Sequence, residues 1–326
     1  MRLSASSVIL VALVGVVACG NGAGDAAQRS PAVKPARTLI EAHTTVADTS
    51  AAPKDTFWVG RSGGYAIEWT WRDIVVDNAA GERVLSIRSA LDRASADAGT
   101  PVESDDVADT AYGACTLEYH LQLRSVVGSI VSLERLQYLS CRGAAHPSVH
   151  TSYVALDLAR TEREGIVPGD GEDGIGREVS LTDLFPDEQV LAALLGDRLV
   201  QRRIEEIRGK TIRPRTTAEL VALIEGGSEC EYAFESDMLR SFAFHHVEGD
   251  RVAVRIGLSH GCEAARGRLT QIGILLPIPP ALRTALEAAS RGTEGMLMRE
   301  ASKNLDGAVT LFAYRYRIDE DDQETP

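Results

Sequence analysis

Short alternating runs of apolar and polar residues dominate the middle of the chain, interrupted by a few stretches with helical spacing. GYAIEWTW (64–71) alternates and predicts a strand that continues to Val76. Residues 80–99 place Val84, Ile87, Leu91 and Ala94 at helical spacing and end at Gly99, so a helix is expected there. An acidic loop (PVESDDVADT) follows. TLEYHLQLR (116–124) then sets Leu117, Tyr119, Leu121 and Leu123 against polar neighbours, and IVSLERLQYLSC returns after a turn around Val127-Gly128-Ser129. SYVALDL (152–158) is another alternating strand. The Gly- and acid-rich residues 161–178 form a solvated connection, without the alternating Asp pattern and terminal Glu of an EF-hand.

Helical spacing takes over next. Ser180-Leu181-Thr182-Asp183 opens a short helical segment that ends at Phe185-Pro186. Asp187 is placed to cap one long helix, EQVLAALLGDRLVQRRIEEI, whose Val190, Leu191, Leu194, Leu195 and Leu199 form a single stripe. A second helix, TTAELVALIEG, ends at paired glycines. Strands are expected at AFE, SFAFHHV, VAVRIGLS and LTQIGILLPI, with a hairpin turn at Glu248-Gly249-Asp250-Arg251. PPALRTALEAAS is a helix with prolines at its start, and AVTLFAYRYRI is a last strand before an acidic tail. This order predicts an α+β fold, an antiparallel sheet with long hairpins packed against several helices.

The N-terminus reads differently. Arg2 precedes an apolar run from Val8 to Ala18, which spans roughly 16 Å as a helix, about half of a ~30 Å hydrocarbon core. That length fits a signal-peptide core and not a spanning helix. Val16-Val17-Ala18-Cys19 resembles the lipobox of bacterial lipoproteins, which implies cleavage before Cys19 and lipidation of its thiol. Gly20 rather than Asp follows, which in a Gram-negative cell implies the outer membrane, facing the periplasm. Residues 20–56 are rich in Ala, Gly, Ser, Thr and Pro and lack periodicity, so a flexible tether is expected, with a root-mean-square reach on the order of 30–35 Å. The expected organisation is a signal peptide (1–18), a tether (19–56), an N-terminal α+β subdomain (57–111), a larger α+β domain (112–290) and a C-terminal strand with its acidic tail (291–326).

Composition narrows the partners. The formal charge is −13, and losing Arg2 with residues 1–18 makes it −14. This balance disfavours nucleic acid and anionic membrane surfaces and mildly favours a basic partner. Beyond Cys19 there are four cysteines, Cys115, Cys141, Cys230 and Cys262, an even number that fits two disulfides in an exported chain. If the 116–141 hairpin is centred on Gly128, Leu123 faces Leu133, Leu117 faces Leu139 and Cys115 faces Cys141, close enough to bridge. Cys230–Cys262 follows by elimination. No closely spaced cysteine pair favours zinc.

Residues about 112–290 resemble a family of extracytoplasmic domains found in the lysozyme-sensing anti-sigma factor RsiV and in the non-catalytic part of the peptidoglycan deacetylase PdaC. The matching pieces come in family order: the long hairpin, a turn at Gly143-Ala144-Ala145-His146-Pro147, the strand pattern Ala155-Leu156-Asp157-Leu158, Leu-Thr-Asp-Leu-Phe at 181–185, and a strand pair, irregular segment (Glu263, Gly267), strand and helix over 241–290. Two departures stand out. Gly-Ala-Ala-His replaces Gly-Gly-Ala-His, and His260-Gly261-Cys262-Glu263 stands where members carry a Pro-Tyr-Glu-type segment, so partner contacts of that segment do not carry over. The resemblance implies an α+β fold and an envelope location, but no enzyme. No cytoplasmic anti-sigma segment precedes the signal, so complete RsiV-type signalling is not expected.

The side chains supply no catalytic constellation. His146 and His150 have i,i+4 spacing, but Pro147 disfavours a helix there, and His146 reads as a turn residue bonding local backbone. In a strand His245 and His246 point to opposite faces and cannot share one ion. Ser259-His260 lacks a nucleophile elbow, and Asp105-Asp106 and Asp321-Asp322 fall in loop and tail. No metal or cofactor is expected. The expected function is a lipid-anchored binding or sensing protein of the cell envelope, with His146, His260 and Glu263 as candidate contacts and a lysozyme-like basic protein or a cell-wall glycan as ligand. The alternatives are a cell-wall-modifying hydrolase and a purely structural lipoprotein.

Overall fold

A computed structural model describes residues 56–97, 114–166, 174–207, 213–227, 232–258 and 269–317. Its centre is an antiparallel sheet of four strands in the order β13-β5-β6-β7, formed by β5 (Ala114–Val127), β6 (Ile130–Cys141), β7 (Ser148–Asp157) and β13 (Thr310–Arg317). The fold is α+β, as the residue pattern predicts.

One face of the central sheet presents Leu121, Leu123, Leu133, Val154 and Leu156 to the N-terminal sheet, where Ile67, Trp69, Ile74 and Val76 meet them. That N-terminal sheet runs β1 (Thr56–Ser62), β2 (Tyr65–Thr70), β3 (Ile74–Asp77) and β4 (Arg83–Ser86), followed by α1 (Ile87–Asp97). Two expectations fail here. The strand expected to continue to Val76 folds back after Thr70, whose hydroxyl accepts the N–H groups of Arg72 (3.2 Å) and Asp73 (2.9 Å) and closes a tight turn. The helix expected from residue 80 begins only at Ile87, because Val76 and Leu85 are paired and buried as strand residues. Gly63 and Gly64 make the β1–β2 turn at φ 58° and 89°. A Cβ on Gly63 would lie 2.6 Å from the Gly128 carbonyl carbon, so this turn and the β5–β6 turn stack backbone on backbone.

The other face of the central sheet meets β10 (Phe242–Glu248), β11 (Arg251–Leu258) and β12 (Thr270–Pro277). Strands β11 and β12 pair so that Val252, Val254 and Ile256 share a face with Leu276, Ile274 and Ile272. That face packs on α3 (Leu181–Leu184), α4 (Asp187–Leu195), α5 (Arg198–Glu206) and α6 (Thr217–Ile224). The long helix expected over 188–207 is two helices. Asp197 ends the first and caps the second, accepting the Leu199 (2.8 Å) and Val200 (3.3 Å) N–H groups. Asp187 does not cap its own helix; its carboxylate takes the Thr217 N–H and hydroxyl and so starts α6. Two more helices, α7 (Pro280–Arg291) and α8 (Met298–Asn304), precede β13. A further helix, α2 (Leu158–Glu164), begins at the last residue of the strand expected over 152–158 and runs into the connection read as solvated loop, with Asp157 as its cap.

Two hairpins share one construction. Gly128 (φ 59°) and Gly249 (φ 62°) each begin a two-residue turn, a position that favours glycine in a hairpin. Four residues before each glycine the first strand carries a β-bulge, at Arg124 in β5 and at His245 in β10. The bulges meet between the layers: the buried Ser125 Oγ accepts the Phe244 N–H at 3.1 Å, satisfying a backbone donor inside the core.

Candidate functional site

As the edge strand of the central sheet, β7 has outward backbone groups that need partners. At one end the segment after α2 supplies them. Asp157 N–H donates to Arg177 O (2.8 Å), and Val179 N–H donates to Ala155 O (2.9 Å). Further along, Tyr153 N–H donates to Ser241 Oγ at 3.0 Å, and Gly257 N–H donates to Ser241 O at 2.9 Å. Ser241 can enter there because β11 carries glycine at 257, where a Cβ would lie 2.9 Å from the serine hydroxyl and 3.2 Å from Tyr153 Cδ2. Beside these contacts lies a cleft of about 350 Å³, lined from β7 by His150, Ser152, Tyr153 and Val154.

The sheet side of the cleft holds Arg135 from β6, which is only 4% exposed. Its Nη2 donates to Ser152 Oγ at 3.1 Å. A guanidinium keeps its charge when buried. The lining also includes the segment from β9 (Ala233–Phe234), which pairs with β8 (Gly226–Gly227), through the 3₁₀ turn Met238–Arg240, with Glu235 and Asp237. At the mouth, Arg240 Nη1 lies 3.8 Å from Glu178 Oε2, with the two side chains 54% and 19% exposed. His150 also lines the space, and Met238, Val154 and Tyr153 add apolar surface. Burial, and then the nearby Glu134 carboxylate, raise the Tyr153 phenol above its ordinary value, so the phenol stays neutral. The result is a small polar cavity lined by side chains of both charges.

Among the described residues, the cleft lining includes none of the candidates named from sequence. His146 is exposed in the loop before β7, with Nδ1 3.2 Å from Pro147 O, the local backbone contact expected of it. Cys115 and Cys141 form a disulfide, with an S–S distance of 2.10 Å and a Cα–Cα distance of 4.0 Å. Cys19, Cys230, Cys262, His260 and Glu263 lie outside the described residues. Arg135, Glu235, Asp237 and Arg240 were not anticipated. One signal was legible: Arg135 follows Val131 and Leu133 at inward-facing parity, where a charge demands a reason.

The histidine pair corrects an expectation. Because His245 is the bulge residue, both imidazoles fall on one side of β10, with Nδ1 atoms 2.7 Å apart. At that distance one ring donates to the other. Two nitrogens on one tetrahedral zinc sit roughly 3.3 Å apart, so this spacing is that of a hydrogen bond. Burial first, then Arg255, His246 and Arg299, against the opposing pull of Glu300, together lower the His245 pKa to about 4. His245 is therefore neutral at physiological pH.

No protein-family model, curated protein or solved structure matches this chain.

Proposed function

We propose that this chain is a lipid-anchored extracytoplasmic binding or sensing protein whose small-ligand site is the cleft beside β7. The observation that carries the reading is the cleft itself: a cavity of about 350 Å³ beside the edge strand β7, lined by Arg135, Glu235 and Asp237 among others. Such a cavity lies at the small end of ligand pockets. The lipobox-like Val16-Val17-Ala18-Cys19 and the tether-like residues 20–56 support an envelope location, and the Cys115–Cys141 disulfide fits an oxidising compartment. Among the described residues no helix is long and apolar enough to cross a membrane.

The resemblance to the RsiV and PdaC domains and the formal charge of −13 support a second, larger ligand, a basic lysozyme-like protein on the acidic surface. Calorimetric titration of the mature domain at low salt with soluble muropeptides, and separately with lysozyme, tests both. Saturable heat with muropeptides supports the cleft, and heat with lysozyme supports the protein ligand. No heat with either at tens of micromolar domain would discard the binding role and leave a structural lipoprotein.

A further inference from the structure

We infer that Arg255 anchors a second binding site, on the outer face of β11 and β12, which takes the carboxylate of a monoanionic ligand. The site is separate from the cleft beside β7, whose lining does not include Arg255.

Strand alternation sets the position. Val252, Val254 and Ile256 point into the helical core, so Arg255 points the other way. Its partners across the sheet are Ala243 on β10 and Gly273 on β12. On the β10 side the surface is closed, because Tyr153 and Met298 pack on Ala243. On the β12 side Gly273 is exposed, and the half-buried Arg255 lays its guanidinium across it. A Cβ at 273 would come within 3.2 Å of Arg255 Cζ, so the absence of a side chain there is what lets the guanidinium lie on the backbone.

The carboxylates that share neighbours with Arg255 are already paired. Glu134 acts on Tyr153, as Arg255 does, and is held by Arg124 at 2.7 Å. Glu300 acts on His245, as Arg255 does; its Oε1 accepts Arg299 Nε at 3.3 Å and lies 3.9 Å from Lys303 Nζ. Glu248 lies 3.9 Å from His246 Nε2. Among the described residues Arg255 has no ion-pair partner. After burial, Arg255 is the largest influence that keeps His245 neutral, ahead of His246 and Arg299. The spot is therefore locally positive on a chain whose formal charge is −13.

Ligand charge follows from this count. A guanidinium stays ionised, and its planar fork matches a carboxylate through two parallel N–H···O bonds. One uncommitted positive charge balances one negative charge. A phosphate dianion brings a second charge toward Glu134 and Glu300, and a cation is repelled by Arg255 and Arg299. A neutral amide accepts hydrogen bonds but gains nothing from the charge.

The test is an NMR titration of the mature chain near neutral pH, resolving backbone amides and arginine Nε–H groups, with N-acetylglycinate at constant ionic strength. Sodium chloride, N-acetylglycinamide and inorganic phosphate are the comparison probes. Saturable shifts are expected at Arg255 Nε–H and at residues 253–257 and 271–275, with at least tenfold weaker binding of the amide and of phosphate. Arg255→Gln is expected to weaken N-acetylglycinate at least tenfold. Arg255→Lys, which keeps the charge and loses the fork, is expected to weaken it at least threefold and carries the test if the glutamine variant does not fold. No saturable shift at tens of millimolar carboxylate, the same shifts with chloride, tighter binding of phosphate, or a folded variant that binds as wild type does would each overturn the inference. Any of these results leaves the cleft reading standing, since Arg255 does not line the cleft.

Discussion

Cys115 faces Cys141 across β5 and β6 because Arg124 is one residue more than its strand needs. From the turn, Val127 pairs with Ile130 and Ser125 with Ser132. The bulge at Arg124 then moves the pairing by one, so that Leu123 meets Leu133 and the two cysteines form the twelfth pair counted from the turn. The same bulge reverses the alternation. Leu123 points to the N-terminal sheet and Ser125 to β10, letting one strand serve two cores.

The disulfide closes a loop with a sequence separation of 26, and bridges of this kind contribute about 2–4 kcal/mol through the unfolded chain. The Cys115→Ser/Cys141→Ser variant is therefore expected to lose that much in urea unfolding. Reducing agent should destabilise the wild type by at least a similar amount.

Ser125→Ala removes the acceptor of the buried Phe244 N–H. An unsatisfied buried donor costs about 1–3 kcal/mol. Equilibrium unfolding should show a loss in that range. A neutral result would mean that water reaches the bulge.

His245 carries a pH signature. Its folded pKa of about 4 lies below the ordinary histidine value of 6.5, so between the two the unfolded chain binds the proton more readily. This contribution to stability is present in full above pH 6.5 and is lost as pH falls toward 4. Relative to wild type, His245→Asn should show a flatter fall over that range, by up to about one proton in the slope. Chemical unfolding at a series of pH values reads this difference.

The hairpin legibility has a physical basis. Strict alternation makes strands visible, and centring the β5–β6 hairpin on Gly128 leads to the correct cysteine pairing, although through different geometry. The real turn is Gly128-Ser129, and the bulge supplies the missing step. Bulges are what local patterns conceal, because the extra residue is fixed by the layer above. His245 and His246 read as opposed for that reason and are in fact adjacent. The split at Asp197 was hidden similarly, since its apolar neighbours fit one stripe whether the helix breaks or not. The cleft was the least legible part. It depends on β7 being an edge and on Ser241 reaching it past Gly257, contacts separated by 88 residues along the chain.

Gly257→Ala tests that wall. The added methyl must displace Ser241 or the Tyr153 ring. Overpacking of this kind costs about 1–3 kcal/mol. Thermal unfolding should report the loss, and the cleft wall should shift with it, weakening any ligand held there.

The most direct measurement of the central claim is an amide-resolved NMR titration of the mature domain with soluble muropeptides. The expected result is saturable shifts concentrated on residues 150–154, 235–241 and Gly257, the walls of the cleft. Saturable shifts confined to another surface, or none at millimolar muropeptide, would contradict it.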